Sequence, residues 1–222
     1  MSIIKNIIKS RRSISSFTGK KVTLKLIDEL ISVSGYAPSS CNTQPWFFLV
    51  FHTKKSKEKL NLYIQKGYEY TSQSLKKKNK VMGSIYDRLL NFFSNYGKFD
   101  EAPAYILVFT RPYNAPLFSQ AIRLAKNKQI EKIADDSVKT SSAMAMQNFL
   151  LIAHEKGLGT RVKDGIKFLM NSDKLKNEFC REFQIPSTYQ LISGIQLGYP
   201  AKEAIERKAP ARMSLAKVRK FV

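Results

Sequence analysis

The stretch from Ala37 to Phe51, APSSCNTQPWFFLVF, joins two kinds of side chain that together could hold a ligand. Between Pro38 and Pro45 lie Ser39, Ser40, Cys41, Asn42, Thr43 and Gln44. Each proline fixes its own φ and disfavours helix at the residue before it, so this segment is a stiffened, extended loop. After Pro45 the sequence turns to Trp46, Phe47, Phe48, Leu49, Val50 and Phe51, an apolar run rich in aromatic and β-branched residues that predicts a buried strand. Hydroxyls, amides and main-chain groups are thereby set at the mouth of a core. That suits a flat ligand hydrogen-bonded along one edge and held between apolar faces. The plain alternative is a surface connection, where Ser, Asn, Thr and Pro commonly gather. Cys41 adds a nucleophilic alternative with His52 or His154 as base, but a reactive thiol needs a basic partner in reach, and no spacing assembles one. A further group is Arg11-Arg12-Ser13. Two guanidiniums past a helix end commonly sit in solvent and complement its dipole.

These residues need elements to position them. Residues 2 to 11 place Ile3, Ile4, Ile7 and Ile8 on one helical face, and this helix delivers Arg11, Arg12 and Ser13 just past its end. Thr23 can cap a second helix that stops at Gly35, with Leu24, Ile27 and Ile31 in one stripe and Leu26, Leu30 and Val33 in another, which predicts burial on two sides. Ser56 to Lys66 reads as a short amphipathic helix with Leu60 and Ile64 inward. Residues 67 to 100 interleave aromatics with lysines and predict helical pieces, either ordinary core or a cover over a planar ligand. Ala102 to Thr110 is a second buried strand. Asp135 to Lys156 reads as the longest helix, with Asp135, Asp136 and Ser137 at its positive end and Gly157 as its stop. Its small residues, Ser141 to Ala145, permit close approach of another backbone. A brief strand and a glycine turn follow through Gly165, then a helix from Ser172 to Phe183 and a strand from Thr188 to Leu197. With no internal repeat and no linker, the sum is one helix-dominated α+β domain over residues 1 to 222. About four strands form its sheet, and a basic arm runs from about residue 201 to 222.

Bulk composition narrows the class. The chain of 222 residues, 43% hydrophobic and 25% charged, is long enough for one well-buried domain and ordinary for a soluble globular protein. No apolar run approaches the roughly 20 residues that span a bilayer, and the N-terminus lacks the apolar centre of a secretory signal. Cys41 and Cys180 form no metal or disulfide pattern, so both are expected reduced in a cytoplasm. The formal net charge of +21 attracts polyanions by counterion release. The lysines are scattered, however, and no zinc-finger or RNP-type signature accompanies them, so no specific nucleic acid is expected.

Four segments in register resemble the nitroreductase family of FMN-dependent oxidoreductases, over residues 3 to about 215. They are Arg11-Arg12-Ser13-Ile14-Ser15-Ser16-Phe17; Ala37-Pro38-Ser39-Ser40-Cys41-Asn42-Thr43-Gln44-Pro45-Trp46; Gly157-Leu158-Gly159-Thr160 with the turn to Gly165; and Leu197-Gly198-Tyr199-Pro200 with the basic segment ending at Arg212. The resemblance implies a nitroreductase-like fold, a central, mostly antiparallel sheet surrounded by helices, in an intertwined homodimer with FMN at the subunit interface. By the same resemblance Arg11, Ser13 and Arg212, with Lys208, hold the phosphate and Arg12 sits beside them. Pro38, Ser39, Ser40, Asn42 and Gln44 come from the partner subunit. Val162, Asp164 and Gly165 face the reactive N5 edge through main chain, the Asp164 amide donating. Ser15 also lines the flavin, at a place where many members carry Lys or Arg. That absence predicts a lower flavin potential unless Lys163 or another lysine substitutes.

The implied reaction is ping-pong: NADH or NADPH reduces FMN, then a nitroaromatic, quinone or similar flat acceptor takes its place. No protein nucleophile and no metal are required. Two alternatives differ in class: a family member that keeps the flavin fold as a binding protein, and a basic polyanion-binding protein.

Overall fold

The structure, a computed structural model, describes residues 2–78, 85, 87–88, 91, 102–206 and 210–221. Its elements are, in order, α1 (Ile3–Ser10), α2 (Leu24–Ser34), a 3₁₀ turn at Ser40–Asn42, β1 (Trp46–Phe51), α3 (Lys54–Lys78), β2 (Ala104–Thr110), α4 (Pro116–Ala125), α5 (Lys128–Glu155), β3 (Gly159–Lys163), a 3₁₀ segment at Asp164–Met170, α6 (Asp173–Glu182), β4 (Gln190–Gly198), α7 (Lys202–Glu206) and α8 (Leu215–Val218).

Every residue of β2 is buried, because this strand lies inside the sheet and divides two cores. Side chains alternate across a strand. Ala104, Ile106 and Val108 therefore join Ile27 and Leu30 of α2 and Phe149 and Ala153 of α5. Tyr105, Leu107 and Phe109 join Leu60, Ile64 and Tyr68 of α3 and Leu175 and Phe179 of α6 on the other side. The sheet runs β1-β2-β4-β3 with every neighbouring pair antiparallel, so helices flank an antiparallel sheet and the fold is α+β. The strand expectations hold to within two residues at most ends.

Helix lengths differ more from expectation, for identifiable reasons. α3 continues past Lys66 to Lys78 through Gly67, which is no stop: a Cβ there would lie 2.6 Å from the Leu169 main-chain nitrogen, so glycine lets α3 press against the Asp164–Met170 segment. α5 begins at Lys128, not Asp135. Asn127 caps it, accepting from the Gln129 and Ile130 N–H groups at 2.9 and 3.3 Å. Asp135 lies two turns inside and pairs with Lys139 and with the Gln190 amide. α4, opened by Pro116, was not anticipated. α2 buries Ile27 and Leu30, with Leu26 and Ile31 packed against the same core, and leaves Leu24 and Val33 exposed, so each of its two stripes is covered in the middle and open at one end. The stop at Gly157 is as expected: it takes φ +72°, and Leu158 N–H returns to Ala153 O at 2.8 Å. The expected helical pieces between 79 and 100 fall largely outside the described residues.

Candidate functional site

α1 ends in Arg11, whose N–H still caps Ile7 O at 3.0 Å, and the chain then runs extended along the sheet edge. Ser13 bridges to Thr160, Ile14 N–H donates to Thr160 O at 2.9 Å, and Phe17 bridges to Pro200. Gly159 permits this approach, since a Cβ there would stand 2.8 Å from Ile14. Three sequence-distant segments, 11–17, 159–163 and 198–200, thereby lie side by side.

Within this edge, burial, and behind it the charge of Arg212, hold the Arg11 guanidinium below its ordinary value. Arg212 from the C-terminal arm is thus near enough for its charge to act on Arg11. No salt bridge among the described residues involves Arg11, Arg12 or Arg212, and Arg12 Nη1 is buried without a hydrogen-bond partner. Two guanidiniums without an ion-pair partner among the described residues, and an unpartnered donor on the residue between Arg11 and Ser13, are groups that an anion could engage. Lys208, expected here, lies outside the described residues.

β3 runs from this cluster to Val162, Lys163, Asp164 and Gly165. Val162 is exposed and Lys163 buried. The Asp164 carboxylate is engaged locally: it accepts from Ser193 Oγ at 3.0 Å and pairs with Lys167 at 2.9 Å. Its N–H opens the 3₁₀ segment, where the first N–H groups have no partner within the helix. Gly165 is not a left-handed turn residue. It is glycine because a Cβ would collide with the Tyr68 hydroxyl from α3.

The second cluster is the 38–45 loop, which is extended only at its ends. Its centre is a 3₁₀ turn, Ser40–Asn42, in which Cys41 and Asn42 take φ of 50° and 52°, and Gln44 just beyond takes 42°. Three left-handed non-glycine residues in four positions are costly, and local bonds hold them. Gln44 N–H donates to Ser39 Oγ at 3.1 Å, the Gln44 amide to Asn42 Oδ1 at 3.0 Å, and Ser40 N–H to Ser141 Oγ of α5 at 3.4 Å. Pro38, Ser39 and Ser40 face Ser137, Thr140, Ser141 and Met144 across a cleft of about 460 Å³. Asn42 and Gln44 share a second cleft, about 540 Å³, with Trp46, Phe47, Phe48 and Arg111. Polar loop atoms over aromatic side chains is the arrangement the sequence predicts.

The two clusters are apart within one chain. The loop touches α5 at Ser141, while Ser10, next to Arg11, touches α5 at His154. Thirteen helical residues at a rise of ~1.5 Å separate these points by ~20 Å. The thiol alternative also dissolves: Cys41 Sγ accepts from the Tyr113 hydroxyl at 3.4 Å, and His154 is occupied by Ser10 at the far end. That Ser10–His154 contact, spanning 144 positions, was not legible in the sequence, because no local pattern reports it. Arg111 and Tyr113 were also missed; the signal was a polar loop directly after a buried strand. Among the described residues no group of His, Cys, Asp or Glu could hold a metal, and no helix is long and apolar enough to cross a membrane.

Comparison with known proteins agrees with the layout. The sequence model of the Nitroreductase family matches residues 8–199. The Bacillus subtilis (strain 168) protein YfhC, provisionally named an NAD(P)H nitroreductase, is 26% identical over 212 residues, 95% of this chain and 92% of its own. A crystal structure of a BluB-like flavoprotein from Clostridium difficile 630 superposes with a TM-score of 0.79 at 23% identity, covering 100% of both chains. A nitroreductase with bound FMN from Bacteroides fragilis NCTC 9343 gives 0.70 at 16% identity, also over 100% of both.

Proposed function

Since this chain belongs to the nitroreductase family, we propose that it is an FMN-dependent oxidoreductase that carries hydride from NADH or NADPH to a nitroaromatic, quinone or similar flat acceptor. The observation that carries the reading is that Arg11 feels the charge of Arg212, that neither has an ion-pair partner among the described residues, and that Arg12 next to them in sequence keeps a buried, unpartnered guanidinium nitrogen. A phosphate suits such a donor set in charge and in chemistry. The FMN seen in the B. fragilis protein and the NAD(P)H in the name of YfhC support the choice of cofactor and reductant.

In this reading Arg11, Ser13 and Arg212, with Lys208, bind the phosphate and Arg12 backs them. The Asp164 and Gly165 main chain donates toward the reactive ring edge, while the Asp164 carboxylate, held by Ser193 and Lys167, only fixes the turn. FMN, when bound, supplies a two-electron hydride relay whose two half-reactions use one binding face in turn, a ping-pong cycle. Everything else falls to the chain: binding, orientation and exclusion of water. The ~20 Å along α5 between the points where the loop and the end of α1 are anchored favours completion by a second copy, in which Pro38, Ser39, Ser40, Asn42 and Gln44 of one subunit serve the arginines of the other. Residues 1–222 then act as one FMN-binding unit in a homodimer.

Purification tests this directly. The protein is expected to be yellow and to bleach with NADH or NADPH under anaerobic conditions, and Arg11→Ala is expected to weaken FMN binding about 10- to 100-fold, the range of a lost charge-assisted contact. A colourless protein that takes up no FMN, yet binds duplex DNA with steep salt dependence, would overturn the reading.

A further inference from the structure

α1 is secured to its own chain almost entirely at one end. It buries no residue, and Ile3, Ile4 and Ile8 are 74%, 69% and 55% exposed. Its last residue, Ser10, meets His154 of α5, Oγ to Nε2, at 2.7 Å. The hydroxyl has one hydrogen and also lies 2.7 Å from Asn6 O, which can only accept. Ser10 therefore donates to Asn6 O and accepts from His154, so Nε2 carries a hydrogen whether the ring is neutral or charged. Protonation leaves this bond intact.

We propose that His154 is a positioning residue for the phosphate site: its Nε2–H fixes Ser10, hence the point at which Arg11 leaves α1, and its ring takes up a proton as a phosphate seats against Arg11. The proposal rests on Arg11 as the phosphate ligand. Burial, and then the charge of Arg11, hold His154 below its ordinary value in the protein alone. The other charges on the elements packed against it are held in different ways, and Glu155, the next residue of α5, carries no ion pair among the described residues. Glu29 of α2 is paired with Lys156, and Arg161 and Lys163 of β3 alternate onto the side of Gln196 and Gly194, opposite α5. Lys5 and Lys9 of α1 carry no ion pair among the described residues. An anion against Arg11 offsets the Arg11 charge, the smaller of the two causes that disfavour the protonated ring. Binding then raises proton affinity, so by linkage FMN affinity rises as pH falls through the window between the free and bound values of His154, by up to about tenfold per pH unit.

Release of FMN from the purified holoprotein, measured at graded pH between about 5.5 and 8, distinguishes the outcomes. The second ionisation of the phosphate also lies in this range but is common to all variants, so ratios between proteins isolate the histidine. His154→Gln keeps an N–H donor for Ser10 and cannot be protonated. It is expected to match wild type near the top of the range and to fall progressively behind as pH drops. Ser10→Ala and His154→Phe are expected to weaken FMN several-fold to about tenfold across the range, the effect of one lost hydrogen bond, and to leave riboflavin binding unchanged. Thermal melts confirm that each variant is folded. A wild-type profile identical to that of His154→Gln, or Ser10→Ala with unaltered FMN affinity, overturns the proposal while the function stands. Unaltered FMN binding by Arg11→Ala overturns the phosphate reading itself.

Discussion

Ser15 is a half-buried hydroxyl just beyond the Arg11–Arg12–Ser13 segment, and in the proposed reading it lines the flavin. A positive charge next to the ring stabilises its anionic reduced form, so Ser15→Lys is expected to raise the flavin midpoint potential. The rise should be about 30 mV in the two-electron couple for each ~1.4 kcal/mol of added stabilisation. A redox titration of wild type against the variant reads this, and no upward shift disposes of the idea. Lys163 is the natural substitute within the chain, being buried on β3 one residue before Asp164. Arg11, Ser13, Asn42 and Gln44 could be singled out as candidates from sequence because their motifs are contiguous. Ser10 and His154 could not, since their meeting depends on the angle at which α1 lands on α5.

At the scale of elements, the site is braced from behind by α3. Gly67 and Gly165 make the contact possible on either side of the Asp164–Met170 segment, and Tyr68 fills the space between; its burial pushes the phenol up to about 12. Gly165→Ala is expected to cost about 1–3 kcal/mol in denaturant unfolding, the range for overpacking a tight contact. In a Tyr68→Phe background most of that cost should vanish, because the colliding atom is the hydroxyl and the next ring atom would be 3.6 Å away. Equal costs in both backgrounds would mean that the glycine serves the backbone and not the packing. Strands were legible because β2 is a continuous apolar run and β1 follows a proline. Helix bounds were less so. A glycine inside α3 looked like punctuation, and Asp135 looked like a cap, when each was used for a tertiary contact.

The whole molecule leaves much apolar surface uncovered. Beyond α1, Leu117, Phe118 and Leu124 of α4 and Met213, Leu215, Val218 and Phe221 of the arm are exposed. Together with the separation of the two site clusters, this supports a paired assembly. Sedimentation is expected to give twice the mass of one chain, with flavin lost in step as subunits separate; flavin retained by a monomer would refute the shared site. The charge of +21 was readable from composition but does not decide function. It predicts only unselective attraction to polyanions that salt removes.

The adjacency of Arg11 and Arg212 has a temporal side. Ribosomal synthesis runs in one direction, so about two hundred residues are added between the first guanidinium and the second. If both hold the phosphate as proposed, capture of the cofactor waits for residue 212, and ribosome-stalled or truncated products ending before it are expected to accumulate colourless even where vitamin supply is ample.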